Sequence, residues 1–244
     1  MNDPQHTPPP TREPLTGDAL PGGPVPGDPL TGDRLPALVD QAEALIEYGI
    51  HDLAQITPEQ VRSFAADHHP AGQGSLLAVH PAQVPASRLA PLMHCEGKPG
   101  FIVGDMTDVD SFEPVDIELP DTVLYLVRDP QRGEDMVNWS PEEALPAIAS
   151  RERTPLLLSE GLHWVLQQPG ILERNLCFMT IGSRLKKPSG AYDSRTPALW
   201  ISNGTGRDGR ERKNAPKVGW CWWRNRHTWL GIASAAGRTP RATP

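Results

Sequence analysis

The stretch Val218–Ala236, VGWCWWRNRHTWLGIASAA, holds four of the chain's seven tryptophans and limits what the fold can be. Rings of that size dominate the burial of any core they join. Val218, Trp220 and Trp222 alternate with Gly219, Cys221 and Trp223, so the two sets point to opposite faces of a strand. Arg224–His227 is a polar break of turn length, and Thr228–Ala233 reads as a second strand. The pattern predicts a β-hairpin with tryptophan on both faces. Either both faces are covered as a two-sided core, or one is a stacking surface with Trp223, Asn225 and His227 at its rim.

The remaining chain supplies the layers for such a sheet. The 28 prolines and 22 glycines of the 244 residues crowd towards the N-terminus, where PLTGD occurs twice, at Pro14–Asp18 and Pro29–Asp33. Residues 1–34 are therefore expected to be a disordered Pro/Gly-rich tail, because they lack the apolar side chains to bury. A single domain is expected over 35–238, with a helical part at 35–69 and frayed residues after it, over 239–244; Arg238 already reads as frayed. Leu38, Val39, Ala42, Leu45 and Ile46 follow a helical stripe after Pro36. Thr57-Pro58-Glu59-Gln60 and Ser140-Pro141-Glu142-Glu143 are capping boxes. The first opens a helix with Val61, Phe64 and Ala65 on its apolar side. The second opens a helix through Ala149, and Ser159 to Gln167 reads as another. Strands are predicted at Ser75–His80, Phe101–Met106, Val123–Arg128, Cys177–Gly182 and Ala198–Ser202. Helices and strands mix without βαβ alternation, which points to an α+β fold with a mostly antiparallel sheet and short helices.

Charge and cysteine content narrow the functional classes. The net charge is −7, yet Phe101–Leu145 holds twelve acidic residues against two basic ones, and Arg184–Arg226 eleven basic against three acidic. Such segments face each other within one fold, lie on separate solvated surfaces, or drive nucleic-acid binding or self-association. Cys95, Cys177 and Cys221 form no CxxC pair, and unpaired thiols fit a reducing cytoplasm. No apolar run is long enough to span a membrane, and MNDPQHTPPP has no signal-peptide character.

Candidate chemistry is sparse. Gly204–Gly209 matches GxGxxG after a predicted strand, but no helix follows and no acid lies about twenty residues on, so a flexible basic loop is the better reading. Arg207, Arg210, Arg212 and Lys213 in that loop would suit a phosphate, and nearby tryptophans a base, but tryptophan on both faces argues against an exposed nucleic-acid surface. His68, His69, His80, His94 and Cys95 lack the i, i+4 spacing of helical metal ligands, and no HExxH occurs. No GxSxG elbow is present, which leaves Cys177, Cys221 or Ser183 as nucleophiles with His163 or His227 as base. Asp105 with Asp108, and Glu160 with His163, read as turn and helix-face pairs.

Ordered blocks add a resemblance. They are Gly97–Val103, Leu124–Pro146, Arg153–Gly161, Arg174–Arg184, Thr196–Asn203 and Pro216–Ala235. Together they resemble the actinobacterial domain-of-unknown-function family 5701 over about residues 75–238. The resemblance implies one domain with a helical N-terminal part in a cytoplasmic bacterial protein, and it brings no activity, cofactor or catalytic residue. The proline-rich tail and the Gly204–Ala215 loop depart from the family pattern, so a family site should not depend on that loop.

Three functions follow from the residues. The first is binding of a small ligand or peptide where the turn carrying Asn225 and His227 meets the strand ends carrying Arg184 and Asn203. Arg184 would clamp an anion, Trp223 and Trp229 would form walls, and His227 would exchange a proton near neutral pH. The second is an enzyme of unassigned class using Cys177 or His227. The third is an interaction module joined through the acidic and basic segments. No cofactor or metal is indicated.

Overall fold

The computed structural model describes residues 34–69 and 74–239. Apart from Arg34, the expected tail lies outside these residues, as does everything after Thr239. The described residues all fall within one compact unit of the chain.

Helix α1 (Leu38–Glu47) buries Leu38, Ala42 and Leu45, as its stripe predicts. It also buries Gln41, whose amide donates to Ser75 O and accepts from Leu77 N, so the helix is tied to the edge of the following strand. Helix α2 (Pro58–Asp67) starts at the expected capping box and buries Val61, Phe64 and Ala65. Strands β1 (Ser75–Val79), β2 (Phe101–Ile102) and β3 (Leu124–Arg128) follow. The strand predicted over Phe101–Met106 stops early because Met106 N bonds back to Val103 O and turns the chain. Helix α3 (Pro141–Ser150) carries the second capping box. Helix α4 (Leu158–Gln167) is buried along all ten residues, as befits a helix covered on every side. The later strands are β4 (Cys177–Met179), β5 (Arg195–Ile201), β6 (Pro216–Trp222), β7 (Leu230–Ile232) and β8 (Gly237–Thr239).

Among the described residues the largest sheet has the order β7-β4-β5-β6-β2, and a smaller one the order β1-β3-β8. In the large sheet β5 is antiparallel to both β4 and β6, while β2 and β7 add parallel edges. With antiparallel pairing in the other sheets, the α+β reading holds.

The predicted hairpin does not form. β6 pairs with β5 along seven residues and with β2 on its other edge, so neither edge is left for Thr228–Ala233. The chain instead crosses over and delivers β7 to the far edge beside β4. The supposed turn is held by the start of α3: Glu142 N donates to Trp223 O, Asn138 N donates to His227 O, and Arg224 and Arg226 pair with Glu142 and Glu143. The long hairpin is β5–β6, joined by the Asn203–Ala215 loop.

Both faces of the large sheet are covered. Phe178, Leu199 and Val218 face the main core with α4. Gly161 lets that helix sit close, since a Cβ there would lie 2.7 Å from Thr180 and 2.9 Å from Leu199. Met179, Ala198, Cys221, Leu230 and Ile232 face a second core with Met136, Ala144 and Ile148, and Trp200, Trp223 and Trp229 pack partly against it. Arg238, expected among the frayed residues, instead lies in β8 with its side chain buried and paired with the fully buried Glu160 of α4 at 2.6 Å.

Ion pairs join the acidic and basic segments to each other within the fold. Arg195 pairs with Asp108, Arg207 with Asp105, and the α3 carboxylates with Arg224 and Arg226. Among the described residues no helix is long and apolar enough to cross a membrane.

Candidate functional site

Two adjoining clefts share Trp200 and Asn203, at the end of β5 and just beyond it. The larger, about 440 Å³, is further lined by Arg174, Asn175, Cys177 and Trp229. The smaller, about 310 Å³, takes Asp105, Arg207, Asp208, Lys217 and Trp220.

Strand register explains how Trp200 comes to stand there. It pairs with Lys217, two residues from Gly219 on the same face of β6. The indole lies across the β6 backbone, where a Cβ on Gly219 would approach it to 2.3 Å. The Lys217 ammonium sits 4.6 Å from the ring centroid, a cation–π distance. It pairs with Asp208 at 2.6 Å, and Ser202 Oγ donates to the same carboxylate at 2.7 Å. Burial works to raise the Asp208 pKa, but these hydrogen bonds outweigh it and hold the carboxyl below its usual range. Trp229 closes the larger cleft edge-on to Trp200, with centroids 5.9 Å apart and planes at 72°.

The Asn203–Ala215 loop is pinned, contrary to the flexible loop expected from its glycines. It makes two short 3₁₀ turns. Arg174 donates to Asn203 and Asn214, Lys98 donates to Glu211 O, and Arg212 stacks over Phe101.

The six residues singled out from the sequence divide into separate places. Asn203 and Trp229 line the larger cleft. His227 stacks edge-on to Trp229 at 5.6 Å, its Nε2 is buried without a hydrogen-bond partner, and burial lowers its pKa. Arg184 and Trp223 form their own stack, guanidinium 3.8 Å from the ring centroid, and the Tyr192 ring lies 5.3 Å from the same guanidinium. Arg184 donates to Asp193 O, and burial lowers its pKa. Trp223 follows the end of β6 that pairs with Arg195, five residues along β5 from Trp200, or roughly 16 Å at strand spacing. Asn225 lies exposed on the crossover.

The thiols are set for burial. Cys177 donates from Sγ to Glu173 O, and burial pushes its pKa up to about 11; Cys221 is pushed up to about 12. A nucleophilic cysteine needs the opposite shift. No hydrogen bond joins His227 to Cys177 among the described residues. Three of the histidines weighed as metal ligands make backbone contacts: His68 and His94 meet Phe64 O and Leu92 O, and His80 accepts from Ala82 N. Among the described residues no three His, Cys, Asp or Glu side chains are grouped to hold a metal. Asp108 is bound to Arg195, and Glu160 to Arg238 and Tyr125, while His163 Nε2 accepts from Val79 N in the core.

Sequence reasoning passed over Trp200, Arg174, Asn175 and Lys217. Trp200 stood visibly at the end of a predicted strand beside Asn203, but its meeting with Gly219 and Lys217 is set by the β5–β6 register, for which no local signal exists.

Comparison with curated proteins and with solved structures returns no match. A family model described as a family of unknown function, DUF5701, matches residues 44–241, and the chain belongs to that family.

Proposed function

We propose that this protein binds a small molecule in the double cleft around Trp200. The observation that carries the reading is the convergence of two clefts on one partly buried indole, set against Gly219 and flanked by Trp229, Asn203 and Arg174. Ligand sites combine such apolar walls with a few placed polar groups, and both volumes fall near the lower part of the usual range. From the Asn203–Ala215 loop only Asn203 lines the larger cleft, while Asn214 near the loop's other end accepts from Arg174. Arg184, Trp223 and Asn225 are assigned no ligand contact in this reading, while His227 backs Trp229. Cys95, Cys177 and Cys221 are all free thiols, which supports a reducing, cytoplasmic setting.

The test is a screen of ring-bearing fragments by protein-observed NMR on the full chain. The indole N–H signals of Trp200 and Trp229 should shift together while that of the buried Trp164 stays. Trp200→Ala should abolish the Trp229 shift. Fragments that move only signals near Arg184 and Trp223 would overturn the assignment.

A further inference from the structure

We infer that the larger cleft selects a flat ring bearing an anionic group, and that Arg174 is the residue that reads the anion. This rests on the reading of the cleft as a ligand site and adds the chemical class of the ligand.

The argument is one of charge balance between the two lobes. In the smaller lobe each cation has its own carboxylate: Lys217 pairs with Asp208 at 2.6 Å and Arg207 with Asp105 at 2.8 Å. An anion entering there would compete with partners already in place. In the larger lobe no carboxylate lines the wall, and Arg174 is the charged group. Its Nη1 donates to Asn203 Oδ1 at 2.6 Å, and its Nη2 donates to Asn214 Oδ1. Both acceptors are neutral amides, so they orient the guanidinium without neutralising it. Glu96 stands one amide further out, accepting from Asn214 Nδ2 and making no ion pair with Arg174. A guanidinium has five N–H donors, and these contacts use two. The planar fork is thus aimed by two asparagines, with donors left for a carboxylate or phosphate oxygen.

The rest of the lobe suits a ring. Trp200 and Trp229 meet at 72° and form a corner. A planar ligand stacked on one indole presents its edge to the other, an arrangement favoured by the ring quadrupoles. Cys177 is a protonated thiol donating to Glu173 O, so no thiolate repels an anion from the floor. Asn175 adds an amide at the rim.

The experiment is isothermal titration calorimetry at low ionic strength with two matched pairs of probes. One pair is naphthalene-2-carboxylate and 2-naphthamide, and the other is adenosine 5′-monophosphate and adenosine. Each is titrated into the wild-type full chain and into R174Q, R184Q and W200A, with thermal melts to confirm folding. In at least one pair the anion should bind about tenfold tighter than its neutral partner, the scale of one charge-assisted hydrogen bond. R174Q should erase that preference while keeping the neutral affinity, R184Q, outside the cleft, should leave it intact, and W200A should weaken both members. A preference confined to the first pair identifies a carboxylate, and one confined to the second a phosphate. Equal binding of anion and neutral partner, lost in W200A, overturns the anion assignment and leaves the cleft reading standing. Binding untouched by W200A, or no binding by any probe, overturns both.

Discussion

The buried pair Arg238–Glu160 should be worth more to this fold than any surface ion pair, and Arg238→Met tests it. The Arg238 side chain is 4% exposed and that of Glu160 0%. Arg238 Nε and Nη2 donate to the two carboxylate oxygens at 2.7 and 2.6 Å, Nη1 donates to Thr154 Oγ1 and Nη2 also to Pro155 O. Glu160 accepts further bonds from Tyr125 Oη–H at 3.0 Å and from Leu157 N at 2.8 Å. Removing the guanidinium leaves a carboxylate in the core with only those two donors. Uncompensated buried charges of this kind cost about 3–5 kcal/mol. In a domain of this size that is a fall in Tm of about 10 °C. Urea denaturation gives the free energy directly, read as a shift in midpoint at unchanged slope. Glu160→Gln in the same chain keeps an acceptor for Leu157 N and removes the charge. The double variant should therefore recover about 2 kcal/mol relative to Arg238→Met alone. A loss under about 1 kcal/mol for Arg238→Met, or strictly additive effects in the double variant, would refute the reasoning.

Other perturbations act on different parts of the molecule. His163 is fully buried, and burial lowers its pKa from about 6.5 to about 3. The unfolded chain then binds a proton that the native state refuses, so stability is full above pH 6.5 and falls by about 1.4 kcal/mol per unit as pH drops towards 3. His163→Gln should flatten the urea midpoint against pH relative to wild type over that window, and parallel profiles would rule the coupling out. Gly219→Ala forces a methyl into the Trp200 ring and should cost about 1–3 kcal/mol while changing tryptophan emission; an unchanged melt and spectrum would show that the indole does not lie on β6. Because the acidic and basic segments pair within the chain, sedimentation velocity should give the same species in 50 and 500 mM NaCl, and a dimer that dissociates with salt would restore the interaction-module reading.

Local physics was legible where it acts over a few residues. Both capping boxes are formed, because each needs only a hydroxyl and a carboxyl or amide three residues apart. The stripe Val61, Phe64, Ala65 is buried as its period requires. The tryptophan-rich strand is a strand, with Trp220 and Trp222 ring to ring on one face, while Trp223 falls just beyond its end. Its partner was not legible. Arg224–His227 has the composition of a tight turn, and composition does not distinguish a turn that reverses the chain from a crossover docked on the start of a helix. The outcome depended on Glu142 and Glu143, about eighty residues away, and on β5 having already taken the edge of β6.

The candidate site was half legible for the same reason. Asn203, Trp229 and His227 were found because they carry polar or aromatic chemistry near strand ends, and they do gather around the larger cleft. Arg184 carries the same local signal as Arg174, yet the two have different surroundings. One lies against Trp223 and near Tyr192 with a backbone carbonyl as its acceptor; the other stands at an open cleft, oriented by two asparagines. Nothing within a few residues of either arginine encodes that difference. Arg184 lies within the strand Ser183–Leu185 and Arg174 just ahead of β4, and the difference comes from what the fold places across from each. Trp200 makes the point most sharply, since a lone tryptophan in a short apolar run reads as core. It becomes a cleft wall because Gly219, its diagonal neighbour across the β5–β6 ladder, has no side chain to push the indole away. Glycine at 219 and tryptophan at 200 are thus one structural feature written in two places. Substituting either should disturb the same cleft.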